Sequence, residues 1–159
     1  MRIAARWAAG ILVLDQITKF AVVQVLGLKD QLAIDVIPPW LNFRMAWNQG
    51  VNFGLFSGET ELTRWVLIAL ALAISLWVWR WISREPVSFK VQVSAGFLIG
   101  GALGNVIDRV AYGAVADFIN MSLPGWQNPF SFNVADIAIF AGAAGLALFT
   151  TGTDRATTE

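Results

Sequence analysis

Three aspartates stand out for their apolar surroundings. They are Asp108 in Val106-Ile107-Asp108-Arg109, Asp117 in Val115-Ala116-Asp117-Phe118-Ile119, and Asp136 in Phe132-Asn133-Val134-Ala135-Asp136-Ile137-Ala138. A carboxylate at the edge of a bilayer is costly, so by default it marks function. Asp117 and Asp136 read as a catalytic pair. Asp136 follows Asn133 by three residues, and Asn133 can cap a helix beginning there. The positive end of that helix favours an ionised Asp136. Burial among apolar neighbours favours a neutral Asp117. Two carboxylates aimed at one spot share a proton, and its location belongs to the pair. One acts as general base on a water and the other as general acid to a scissile carbonyl. That is peptide hydrolysis without a covalent intermediate.

Composition restricts the alternatives. The chain has no histidine, no cysteine and one tyrosine, Tyr112. Ser-His-Asp and Cys-His machinery, disulfides and nearly every zinc or iron site are thereby excluded. No metal or organic cofactor is expected. Hydrophobic residues make up 57% of the 159 and charged residues 14%, against about 25% charged in soluble domains. With a mean hydropathy of +0.61, the chain reads as an integral α-helical membrane protein. Zero net charge argues against nucleic acid as a partner.

Other polar residues suit supporting roles. Asn105 and Arg109 are four apart and share a helix face, where they can orient a loop or a substrate carbonyl. Asp108, beside Arg109, points another way and reads either as helix-end solvation or as part of the site. Asp15 and Lys19 are also four apart, acid first. They form a self-neutralising ion pair in a bundle or a contact that supports the site. Gly100, Gly101, Ala102 and Gly104 allow close helix approach.

The positioning elements follow from hydropathy. Four transmembrane helices are predicted at about 7–26, 62–82, 88–110 and 134–151, in a single domain covering 1–159. Each uninterrupted apolar run is slightly short of the ~20 residues that span a bilayer, a difference that snorkelling or local thinning absorbs. The 27–58 region reads as a small sheet. Leu32 to Ile37 gives one strand, stopped by Pro38-Pro39. Trp40 to Asn48 alternates, with Leu41, Phe43, Met45 and Trp47 on one face and Asn42, Arg44, Ala46 and Asn48 on the other. Asn48-Gln49-Gly50-Val51-Asn52-Phe53-Gly54 then reads as turns. Residues 111–133 read as an outer loop, and Gly152 to Glu159 as a frayed tail. Arg2, Arg6, Arg80, Arg84 and Lys90 fall on one side, the cytoplasm by the positive-inside rule. Both termini then lie inside, and Asn48, Asp108, Arg109, Asp117 and Asp136 lie near the outer face. Spacing alone leaves open a proton-coupled transporter, a Ser–Lys hydrolase using Lys19, and a non-catalytic scaffold.

The chain also resembles the type II signal peptidases, the lipoprotein signal peptidases of bacteria. The resemblance rests on Asp-Gln-x-Thr-Lys (Asp15 to Lys19), Asn48-x-Gly50-x-x-Phe53, Gly100-Gly101-Ala102-Leu103-Gly104-Asn105 running to Asp108-Arg109, Val115-Ala116-Asp117-Phe118, and Phe132-Asn133-Val134-Ala135-Asp136. Several motifs in order carry far more weight than any one. The resemblance implies a four-helix membrane aspartic peptidase with an extracytoplasmic sheet in the bacterial inner membrane. It implies cleavage of prolipoproteins before a diacylglyceryl-modified cysteine, contact with membrane lipid, and inhibition by cyclic peptides of the globomycin type. Asp117 and Asp136 match the family's catalytic dyad. Asn48, Asn105, Arg109 and Asn133 match positions near the site, and Asp15 and Lys19 match a supporting polar pair. Val51, Asn52, Val106 and Ile137 depart from the usual motif residues.

Overall fold

The computed structural model describes residues 1–50 and 60–150. In it α1 (Arg2–Lys19) continues into a π-helical segment, Phe20–Val25, and a short α2 (Leu28–Gln31). Strands β1 (Ala33–Ile37) and β2 (Leu41–Asn48) follow, then α3 (Thr60–Arg84), α4 (Phe89–Tyr112), β3 (Val115–Asn120) and α5 (Val134–Thr150). Val51 to Gly54 of the expected turn, Phe53 of the motif and the tail from Gly152 fall outside the described residues.

Small residues set the helix packing. The buried face of α1 is Ala4, Ala8, Ile11, Asp15 and Lys19, a stripe at three- and four-residue spacing. Its apolar part lies on α4, where a Cβ on Gly100 would come 2.5 Å from the Ala8 carbonyl oxygen. On another face of α4, a Cβ on Gly101 would collide with the Ala135 carbonyl oxygen of α5. Helix α4 is thus central, touching α1, α3 and α5. The side chain of Ser88 accepts from the Val91 N–H at its start, and Gly113, at φ +79°, ends it in the left-handed conformation.

Arg2 and Arg6 on α1, Arg80 and Arg84 on α3, and Lys90 on α4 cluster at one end of the bundle, where the terminal ammonium donates to Gln92 at 2.8 Å. The sheet lies at the other end. Three helical stretches, Arg2–Val25, Glu61–Arg84 and Phe89–Tyr112, are long and apolar enough to cross a membrane. The fourth, α5, is apolar but has 17 residues, or about 25 Å at 1.5 Å per residue.

The sheet is antiparallel, in the order β1-β2-β3. The expected alternation of β2 is broken: its register against β3 shifts between Phe43 and Ala46, Asn42 is buried and Trp47 is exposed. Phe43 and Met45 pack with Val22, Val23, Leu28, Ala116 and Phe118, and Trp47 meets Tyr112 at 5.7 Å between ring centroids. Two further expectations need correction. Leu32 is not in β1. It ends α2 at φ +64°. The 111–133 region is not wholly loop, because Val115–Asn120 supplies the sheet's third strand, pairing Ala46 with Asp117. A buried strand reads as a continuous apolar run, and Val115-Ala116-Asp117-Phe118-Ile119 was too short and too interrupted to show it.

Candidate active site

The site lies where β3, the first turn of α5 and the last turns of α4 meet. Asn133 and Asp136 form a reciprocal cap. The Asn133 side-chain oxygen accepts from the Asp136 N–H at 2.9 Å, and the Asp136 carboxylate accepts from the Asn133 N–H at 3.2 Å. This capping box fixes Asp136 at the positive end of the helix. Asp117 arrives from β3 and is 3% exposed.

Amide side chains join the two carboxylates. Asn133 Nδ2 donates to Asp117 Oδ1 at 2.6 Å and to Asn105 Oδ1 at 3.3 Å. Asn105 Nδ2 donates to Asp136 Oδ1 at 2.9 Å. Asn48 Nδ2 donates to Asp117 Oδ2 at 3.0 Å, while its own oxygen accepts from the Gly50 N–H at 3.0 Å. Burial, and secondly the charge of Asp136, push the Asp117 carboxyl up to about 6. The bonds from Asn48 and Asn133 and the charge of Lys19 oppose that rise and are outweighed. Arg109 donates to the Asn105 backbone oxygen at 3.4 Å, and its guanidinium lies in the field of Asp117, Asp136 and Asp108.

Behind this layer lies a buried ionic cluster. Lys19 Nζ is 2.8 Å from Asp15 Oδ2, 2.7 Å from Asp108 Oδ2 and 3.2 Å from Asn105 Oδ1. Asp108 is 1% exposed, so it is no solvated helix end. Sequence reasoning gave Gln16 no role, yet its amide donates to Asp15 and Asp108, both at 3.1 Å. Its place inside the Asp15 to Lys19 motif was the available signal. A groove of about 330 Å³ leads away over α4 between α3 and α5, lined by Leu67, Leu70, Ala71, Leu98, Ala102 and Ile139. Asn105 and Arg109 also line it.

The structure therefore brings all nine sequence-predicted residues into one connected assembly: Asp15, Lys19, Asn48, Asn105, Asp108, Arg109, Asp117, Asn133 and Asp136. The family model described as "Signal peptidase (SPase) II" matches residues 7–151. The chain belongs to the signal peptidase II family. It is accordingly a membrane aspartic peptidase of lipoprotein processing. The lipoprotein signal peptidase of Methylobacterium sp. (strain 4-46) is 42% identical over 139 residues, 87% of this chain and 82% of the relative. That of Methylobacterium radiotolerans is 42% identical over 142 residues, covering 86% and 78%. A bacterial membrane enzyme solved by the in meso method at 2.3 Å resolution superposes with a TM-score of 0.76 at 27% identity, covering 100% of this chain and 93% of that one. These likenesses give no support to the transporter reading.

Proposed function

We propose that the protein removes signal peptides from prolipoproteins by activating a water between Asp117 and Asp136, cutting before a diacylglyceryl-modified cysteine. The observation that carries this reading is the pair of asparagines, Asn133 and Asn105, that link both carboxylates. Asp136, held at a helix N-terminus, is suited to take a proton from the water. Asp117, buried and raised to about 6, is suited to protonate the carbonyl oxygen. Both work with no redistribution of charge over long distances, because the donors around them are already aligned.

The remaining groups support the same reading. Arg109 is suited to hold a substrate carbonyl through its guanidinium donors. The apolar groove ending at Asn105 and Arg109 suits an acyl chain or an apolar signal-peptide segment. A cyclic lipopeptide of the globomycin type would compete for that groove. The cluster of Arg2, Arg6, Arg80, Arg84 and Lys90 favours a cytoplasmic location for that end. Helix α5 then makes the fourth crossing, both termini lie inside, and the dyad opens at the outer leaflet. The lipid of the substrate stays in the membrane while its peptide reaches the dyad.

The test uses a synthetic diacylglyceryl-cysteine prolipoprotein with wild type, Asp117→Asn and Asp136→Asn, with substrate binding measured separately. Wild type should cut before the modified cysteine, and both variants should bind without cutting. Near-normal turnover by either variant removes that aspartate from the mechanism.

A further inference from the structure

Helices α1 and α4 carry a buried cation and two buried anions that the proposed chemistry does not use. Asp15 is 0% exposed, Asp108 1% and Lys19 6%. Burying such a cluster is costly, and an apolar replacement of similar volume is often no less stable. Its partners say what it does besides neutralise itself. Asp15 Oδ1 accepts from the Ala135 N–H at 2.9 Å. Asp108 Oδ2 accepts from the Ala116 N–H at 3.1 Å. Ala135 immediately precedes Asp136, and Ala116 immediately precedes Asp117. The two halves of the dyad come from different elements, α5 and β3. Each is gripped by one carboxylate, and both carboxylates are held by the same ammonium.

We propose that Lys19 is a positioning residue: through Asp15 and Asp108 it clamps the backbone just before each catalytic aspartate and so fixes the separation of the two carboxylates. The proposal rests on the dyad reading above. Two further contacts reinforce the clamp. Lys19 donates to Asn105, whose amide donates to Asp136. Gln16 bridges Asp15 and Asp108 on the same side. The clamp spans α1, α4, α5 and β3, so a shift in any one element is resisted by the other three. A displacement near 1 Å at reacting groups can cost about a hundredfold in rate, which is the scale of effect a lost clamp should have.

The decisive experiment is single-turnover cleavage of a diacylglyceryl-cysteine peptide, with enzyme in excess, by wild type and Lys19→Met reconstituted in liposomes. Under these conditions the saturated rate constant does not depend on how many molecules have folded, provided the folded ones exceed substrate. The expected result is a fall of on the order of ten- to a hundredfold in that constant, with half-saturation within about threefold of wild type. Lys19→Met strands two buried anions. If it does not fold, the Lys19→Met/Asp15→Asn/Asp108→Asn variant is measured instead, because it removes the ammonium without leaving net buried charge. The same fall is expected. A saturated rate constant within twofold of wild type in the variant that folds overturns the proposal, whatever the yield of folded protein. Asp117→Asn run alongside separates the two ideas: its inactivity with a normal Lys19 variant sinks only the clamp, and its activity sinks the dyad.

Discussion

The side-chain amide of Asn133 donates to Asp117 at 2.6 Å while its side-chain oxygen caps the helix that carries Asp136. One side chain thus holds the Asp117 carboxylate through its amide and the Asp136 backbone N–H through its oxygen. The two duties can be separated by mutation. Asn133→Asp keeps the capping oxygen but loses the donor and adds a like charge beside Asp117. Asn133→Ala loses both.

Turnover should therefore fall in both variants, by on the order of a hundredfold for a misplaced carboxylate. Both should also lose stability, Asn133→Asp by burying a second charge beside Asp117. Loss of a cap costs about 1 kcal/mol, so Asn133→Ala should melt lower than wild type. If Asn133→Ala kept full turnover, the amide would have no part in holding the dyad.

Asp117 makes a prediction about pH. Its carboxyl is raised from 3.8 to about 6 by burial and by Asp136. The folded state therefore holds a proton between these values that the unfolded chain has lost. Stability falls as pH rises through that window and levels off above about 6. Asp117→Asn removes the effect, so it should melt higher than wild type at pH 8 and about equally at pH 4. If Asp117 is the acid, kcat/KM should also decline as pH rises past about 6, because that ratio reports the free enzyme. A melting difference that is the same at both pH values would show that burial does not disfavour the Asp117 charge.

The helix contacts give a contrast between two glycines. A Cβ on Gly104 would sit 2.5 Å from Asp15 Oδ2, whereas one on Gly10 meets nothing within 4 Å. Gly104→Ala should destabilise by about 1–3 kcal/mol through overpacking and lower activity, because Asp15 must move. Gly10→Ala should be neutral or slightly stabilising, since alanine is the better helix former by up to about 1 kcal/mol. Thermal unfolding in detergent would separate them, and equal effects would mean that α1 and α4 do not approach as closely as described.

How much of this was legible beforehand depended on the kind of signal. The long helices were readable because apolar runs have few other interpretations in a chain this poor in charge. Strand β2 was readable as a strand, with Phe43 and Met45 on the core, but its register shift between Phe43 and Ala46 and the burial of Asn42 were not. Strand β3 was hidden because it is buried on both faces, so its sequence lacks a period of two. Asp117 and Asp136 were conspicuous individually, since each is a carboxylate among apolar residues. The links between them were not. The bonds from Asp15 to Ala135 and from Asp108 to Ala116 join side chains to backbone across 120 and 8 residues, and backbone donors leave no mark in a sequence.

The groove provides the last prediction. Ala71 and Ala102 face each other's helices along an apolar channel of about 330 Å³, with Asn105 and Arg109 also lining it. If this channel receives the apolar part of the substrate, a bulky residue there should block entry without disturbing the carboxylates. Ala71→Phe adds a ring to α3, and Ala71 has no part in the hydrogen-bonded assembly. KM for a diacylglyceryl-cysteine peptide should rise, by about tenfold for each 1.4 kcal/mol of lost apolar contact. The saturated rate should change little, the pattern expected when binding common to ground and transition states is removed. Competitive inhibition by a water-soluble signal peptide lacking the lipid is the control, and its inhibition constant should respond less than the KM of the lipidated peptide if the channel holds the acyl chain. A fall in saturated rate with unchanged KM would instead place the channel residues in the chemistry. Equal responses of the two peptides would assign the channel to the signal-peptide segment rather than to the lipid.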